Sequence, residues 1–158
     1  MAYHDDLIKH AIFLSELNLK DDPKQVDLRR AVSAAYYALF HLLTTEAAQN
    51  WKHESQRNRF ARIFDHGRMK TCSSKVSSRP LPSDAAENLI ATDLKRVADS
   101  FVTLQQARHT ADYDNSKVWS RTQVYETILQ AEDAMTSWMV IREKEIAQDY
   151  LFDLLGTR

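Results

Sequence analysis

Leu28-Arg-Arg-Ala-Val-Ser-Ala-Ala-Tyr-Tyr-Ala-Leu-Phe-His-Leu-Leu43 is the stretch that decides the fold class. Leu28, Val32, Ala35, Leu39 and Leu42 recur every three or four residues, and Tyr36 and Leu43 widen the stripe. That is the period of a helix with one buried face. Asp21-Asp22-Pro23 can start it, so a helix from about Pro23 to near Asn50 is predicted. The 158-residue chain holds 2 Gly and 3 Pro, too few turn residues for an all-β protein. The expectation is an all-α, antiparallel up-and-down bundle of four to five helices, forming a single domain over residues 1–158.

Working outward, Leu7, Ala11, Leu14 and Leu17 predict a first helix from about Asp5 to Asn18, with Asp5 and Asp6 at the positive end of its dipole. A third helical stretch, from about Glu54 to Cys72, is rich in Arg and Lys. Thr71 to Ser83, rich in Ser and holding Pro80 and Pro82, reads as a loop. Asp84 with Glu87 three residues on resembles a capping arrangement. It opens a fourth helix carrying Ile90, Leu94, Val97, Phe101 and Leu104, which ends near Asp114-Asn115. Ser120 with Gln123 is a second capping-box candidate. It starts a long last helix with Val124, Ile128, Ala131, Met135, Trp138 and Met139 turned inward. The tail, Tyr150 to Leu155, is apolar enough to add to an interface.

The formal net charge is -1, so no global basic field advertises nucleic acid, and any RNA binding must come from a local patch or from the seam of an oligomer. The single cysteine, Cys72, allows no internal disulfide and suits a reducing compartment. No apolar run is long enough to span a bilayer, and the acidic start Met1-Ala-Tyr-His-Asp-Asp6 has no signal-peptide pattern. A soluble cytoplasmic protein is expected. His4 and His10 are too far apart for the usual helical metal pair, and there is no glycine-rich phosphate loop, so neither a metal nor a cofactor is expected.

The polar residues with chemical capacity fall in two places. Arg30, Ser33, Tyr37 and His41 are spaced by three, four and four, which stacks them along one face of the second helix. Taken alone they fit a partly buried polar seam. Arg108, Asp112 and Tyr113 lie at i, i+4 and i+5 near the end of the fourth helix, where Arg108 and Asp112 can pair. If those two helices are neighbours, Arg108 can face the seam and offer its planar fork to a phosphate, with His41 and His109 able to move protons near neutral pH. The basic stretch around residues 52–70 reads equally as a phosphate-binding surface or a solvated face.

Three elements in order resemble the HEPN family of helical nucleotide-binding domains. Arg30 to His41 resembles its "Ser-x-x-Tyr-Tyr-Ala-x-Phe-His" helix, Phe64-Asp-His-Gly67 its "His-Gly" element, and Leu104 to Asp114 its "Leu-x-x-x-Arg-x-x-Ala-Asp-Tyr" element. The resemblance covers about Asp5 to Met139. It implies a helical bundle, commonly a homodimer, whose catalytic relatives are metal-independent ribonucleases with an Arg–polar–His motif lining a shared cleft. Carried over, Arg108 is the motif arginine and His109 its polar neighbour, while Tyr113 stands where the motif closes with histidine. A tyrosine hydroxyl titrates near pH ~10 and is a poor general base at neutral pH.

The resulting expectation is an RNA- or nucleotide-binding domain, toxin-like or defence-associated, with weak or lost ribonuclease activity. Arg108, His109 and His41 would be its catalytic candidates, and Ser33, Tyr37, Asp112 and Tyr113 its ligand-binding ones. The alternative is a non-catalytic interaction module that partners a nucleotidyltransferase or another subunit.

Overall fold

The computed structural model describes residues 1–156, which hold seven α-helices, one short 3-10 turn and no strand. The helices are α1 (Tyr3–Glu16), α2 (Gln25–Gln49), α3 (Arg57–Ala61), α4 (His66–Ser77), α5 (Ala85–Tyr113), α6 (Arg121–Ile141) and α7 (Glu145–Asp153), with the 3-10 turn at Glu54–Gln56. The chain is an all-α bundle organised on α2, which touches α1, α3, α5, α6 and α7. Its stripe explains that position: Leu28, Val32, Ala35, Tyr36, Leu39 and Leu43 have no exposed surface. Fully burying one such Leu or Val stabilises by roughly 1.5–3 kcal/mol, so a helix apolar on most of its circumference must sit at the centre.

The pairing of α2 with α5 is antiparallel. Arg29 and Ser33 reach Ala111 and Asp112, while Tyr36, one turn on, meets Phe101 and Arg108. Helix α4 lies antiparallel on α5 in turn, with Lys70 bonded to Gln106 and Ser77 to Asp99. The end of α5 is held by Arg29, whose guanidinium donates to the carbonyls of Ala111, Asp114 and Lys117 at 2.9, 2.9 and 2.7 Å. The half-buried Arg29 thus ties the last turn of α5, its cap and the loop beyond to α2. Arg121 makes the equivalent clasp at the other end of the loop, donating to Ser15 and Asn18 carbonyls.

Several sequence expectations need correction. The first helix ends at Glu16, because Asn18 takes a left-handed backbone with φ 55°. The basic third stretch is not one helix: it breaks after Ala61 and restarts at His66, where the Asp65 carboxylate accepts from the Arg68 amide. Much of the expected loop from Thr71 is helix as far as Ser77. Serine is a weak helix former because it competes for its own backbone, but here burial overrides that. Met69, Ser73 and Val76 make a buried stripe, and Ser73 bonds the buried Tyr150 hydroxyl at 2.7 Å.

The long last helix is two helices, α6 and α7, separated at residues 142–144. Met139 points outward at 51 % exposure. The apolar tail belongs to the protein's own core: Tyr150, Leu151 and Leu154 are buried, and only Phe152 among the large side chains there is exposed. Both capping signals are present, Asp84 to the Glu87 amide and a reciprocal box between Ser120 and Gln123. No helix among the described residues is long and apolar enough to cross a membrane.

Candidate functional site

The α2–α5 seam gathers the polar residues. The Ser33 hydroxyl donates to one carboxylate oxygen of Asp112 at 2.6 Å, and the other oxygen lies 3.6 Å from the Arg108 guanidinium. Arg108 sits over the faces of Tyr36 and Tyr37, 5.3 and 5.8 Å from their ring centroids. Its side chain is 13 % exposed, and its buried Nε has no protein acceptor. An ion pair at 3.6 Å is longer than a good charge-assisted hydrogen bond, so aromatic faces rather than the carboxylate orient the guanidinium.

The seam continues through a histidine from a third helix. The Tyr36 hydroxyl and His66 Nδ1 are 2.6 Å apart, and the His66 ring stacks on Phe40 at 4.3 Å. Tyr37 lies edge-on to the same ring. Asp65 explains how His66 gets there: as the cap of α4 it starts the helix one residue before the histidine, which aims the imidazole at α2. His41 extends the row, beside Tyr37 and edge-on to Tyr3 at 4.8 Å. The row therefore runs Asp112, Arg108, Tyr36 and Tyr37, His66, His41.

Burial is the largest influence on the titrating groups. It lowers the pKa of His66, and the neighbouring Arg108 lowers it further, against a smaller opposing pull from Asp65. Burial likewise lowers His41, with His66 and His4 adding to the effect. Both imidazoles are thus held neutral at pH 7. Burial raises the Tyr36 hydroxyl, partly offset by Arg108, so it stays protonated. A neutral His66 accepts the Tyr36 proton at Nδ1 only when its own proton is on Nε2.

The structure does not gather every candidate. Ser33, Tyr37, Asp112 and Arg108 meet at the seam, and His41 stands at its far end. His109 and Tyr113 form a separate pair on the exposed side of α5, ring centroids 5.0 Å apart, with Tyr113 68 % exposed. Residues at i+1 and i+5 from Arg108 turn about 100° and 140° away from it around the helix, which is why they leave the seam. Arg30 is also exposed, and Arg29 takes the inward role on that turn.

Two seam members escaped selection from the sequence. Tyr36 reads there as part of the apolar stripe, because its spacing matches Val32 and Leu39. His66 carries a signal, a histidine directly after a capping Asp and before Gly67, but its distance in sequence from Tyr36 hides the contact. Trp138 and Trp119 are buried, and Trp51 stacks on Phe60. Cys72 is half-buried, and burial pushes its thiol up to about 11, leaving it unreactive near neutral pH. No group of three or more His, Cys, Asp or Glu side chains among the described residues could hold a metal ion. Comparison of the chain with protein-family models, with curated proteins and with solved structures finds no match in any of the three.

Proposed function

We propose that this chain is an RNA- or nucleotide-binding domain of the HEPN type, with Arg108 as its phosphate-binding group and with weak or absent ribonuclease activity. The observation that carries this reading is the state of Arg108. Its guanidinium is held in place by Tyr36 and Tyr37, and its one carboxylate neighbour among the described residues is 3.6 Å away and already engaged by Ser33. An arginine oriented by aromatic faces keeps donors for a ligand oxygen, and a phosphate accepts them two at a time.

Cleavage would require a base to take the ribose 2′-hydroxyl proton while the 2′-oxygen bonds to the adjacent phosphorus and the 5′-oxygen leaves with a proton. His41 is neutral near pH 7 and suits the first task, but Tyr37 lies between it and Arg108. His109 faces away with Tyr113. Binding is therefore better supported than catalysis. A homodimer bringing two copies of Arg108 to one cleft would concentrate positive potential at the seam of a chain whose net charge is -1.

One observation favours the second reading, an interaction module that partners a nucleotidyltransferase or another subunit. Ser33, Asp112, Tyr36 and His66 spend their polar groups on one another. Fluorescence anisotropy with single-stranded RNA separates the two readings. Arg108→Ala should weaken binding at least about ten-fold, the loss of one charge-assisted contact of ~1.5–3 kcal/mol. Binding that ignores both salt and Arg108→Ala would leave the interaction module ahead.

A further inference from the structure

Charge is strongly segregated along this chain. Of its 21 Lys and Arg and 22 Asp and Glu, eight cations and only two carboxylates, Glu54 and Asp65, fall in residues 52–79. That segment is formally +6 and the rest of the chain -7. Near-neutral totals hide a local field of this kind.

The field has a shaped surface. The outer face of α4 and the turn after it form an open groove lined by three cations, Lys70, Lys75 and Arg79, and by three hydroxyls, Thr71, Ser74 and Ser78. Among the described residues no carboxylate lines it. Acids stand to its sides: Asp99 is bonded to Ser77, and Asp65 and Asp153 line the adjoining groove, where Asp65 accepts from the Arg68 amide and Asp153 lies 4.0 Å from Arg79. A face that serves only solubility intersperses both signs, whereas cations alternating with hydroxyls match phosphate oxygens.

The groove starts one turn after the seam. His66 begins the same helix and contacts Tyr36, and Lys70, one turn later, donates to Gln106 on α5. From Lys70 to Arg79 the helical rise covers roughly 13 Å. A strand stacked at about 3.4 Å per nucleotide presents roughly four phosphates over that length. We infer that the outer face of α4 is a backbone-tracking site for single-stranded RNA, carrying the strand away from Arg108 along Lys70, Lys75 and Arg79. This rests on the reading of Arg108 as a phosphate-binding group and adds the class of ligand and its path.

The test is a salt series of anisotropy titrations with unstructured oligoribonucleotides of about four and about twelve residues, the size range of single-strand sites. It compares wild type, Arg108→Ala and the triple variant Lys70→Gln, Lys75→Gln, Arg79→Gln. Each single-strand phosphate contact contributes about 0.7 to the slope of log affinity against log salt, so the triple variant should flatten the slope for the longer RNA by about 2. Arg108→Ala should flatten it by only about 0.7 while weakening both lengths. Ser74→Asp keeps every cation but adds a carboxylate to the groove, and it should also weaken the longer RNA. An unchanged slope in the triple variant, with wild-type binding intact, overturns the groove and leaves the Arg108 reading standing. Absence of RNA binding by wild type overturns both. Tighter binding of wild type to a poly-glutamate peptide than to the longer RNA would reassign the groove to an acidic protein partner and overturn the proposal.

Discussion

The α2–α5 seam and the outer face of α4 meet at His66, yet they use charge in opposite ways. In the seam one cation, Arg108, is nearly buried, held between aromatic rings and a carboxylate that is itself bonded to Ser33. On the outer face of α4 and the turn after it, Lys75 and Arg79 are exposed and Lys70 half-exposed, with hydroxyls between them. A buried charge loses hydration and needs a fixed set of partners, so it confers geometry and costs stability when disturbed. An exposed charge costs little to place and acts over a Debye length, so it attracts without specifying. The difference teaches that fixed geometry and long-range charge are divided between two neighbouring helices here. On the proposed reading, register would belong to Arg108, and affinity that depends on salt to α4.

Truncation in the seam should cost the most. Tyr36 has no exposed surface, contacts Phe101, Phe40 and His66, and supports Arg108 with its ring. Tyr36→Ala should lower unfolding free energy by about 3–5 kcal/mol in urea melts, from lost packing plus the cavity left behind. Tyr36→Phe keeps the ring and loses the bond to His66, so its cost should be about 1 kcal/mol. A Tyr36→Ala cost no larger than that of Tyr36→Phe would break the contrast, since the seam would then be as forgiving as a surface.

Next in size is Arg29. Three carbonyls, in the last turn of α5, at its cap and in the following loop, accept from its one guanidinium, and a bond to a charged donor contributes more than a neutral one. Arg29→Ala should cost about 2–3 kcal/mol. It should also loosen the end of α5 that carries Asp112. Hydrogen exchange is the measurement, with faster exchange expected at the amides of residues 108–114 and little change on α4.

How much of this was legible in the sequence differs between the two regions for a physical reason. The helix stripes of α2, α5 and α6 could be read directly, because burial imposes a 3.6-residue period whatever the partner is. Both capping residues, Asp84 and Ser120, were readable because a cap acts on its own next turn. The common location of Ser33, Tyr37, Arg108 and Asp112 followed from spacing along one face of each helix. What escaped was contact between distant segments. Arg29 rather than Arg30 turns inward to carbonyls more than eighty residues away, and His66 meets Tyr36 across thirty. The helix through Ser73 and Ser74 escaped for the converse reason, since its local propensity is poor and only packing against Tyr150 and α5 makes it helical.

Acid should act on the seam before it acts on α4. His66 and His41 both have folded pKa values lowered below the ordinary 6.5, first by burial and then by neighbouring cationic groups. As pH falls below about 6.5 the unfolded chain takes up these protons first, so stability is lost on going down through the folded values and levels off beneath them. Carboxylates with ordinary pKa values protonate mainly below that window. Urea midpoints measured from pH 7.5 downward should therefore decline from about pH 6.5. His66→Gln with His41→Gln should flatten the decline. A variant as steep as wild type would remove the two histidines as its cause.

The smallest expected effect is on stability, in the variant expected to matter most for RNA. Lys70, Lys75 and Arg79 lie on an exposed or half-exposed face, and their partners are few: Gln106 for Lys70 and a 4.0 Å approach to Asp153 for Arg79. Replacing all three with Gln keeps most of the side-chain stem and should change unfolding free energy by no more than about 0.5 kcal/mol per site. The sign is informative. Losing the Gln106 and Asp153 contacts destabilises slightly, while thinning a segment of formal charge +6 relieves repulsion. At low salt, where the Debye length reaches about 30 Å, repulsion is largest and the variant should equal or exceed wild type. Adding salt should then stabilise wild type more than the variant, because screening removes a repulsion that only wild type carries in full. A variant that is less stable than wild type at low salt, with the gap unchanged at high salt, would mean that these cations are held by local contacts. The outer face of α4 would then resemble the seam, and the division between register and attraction would fail.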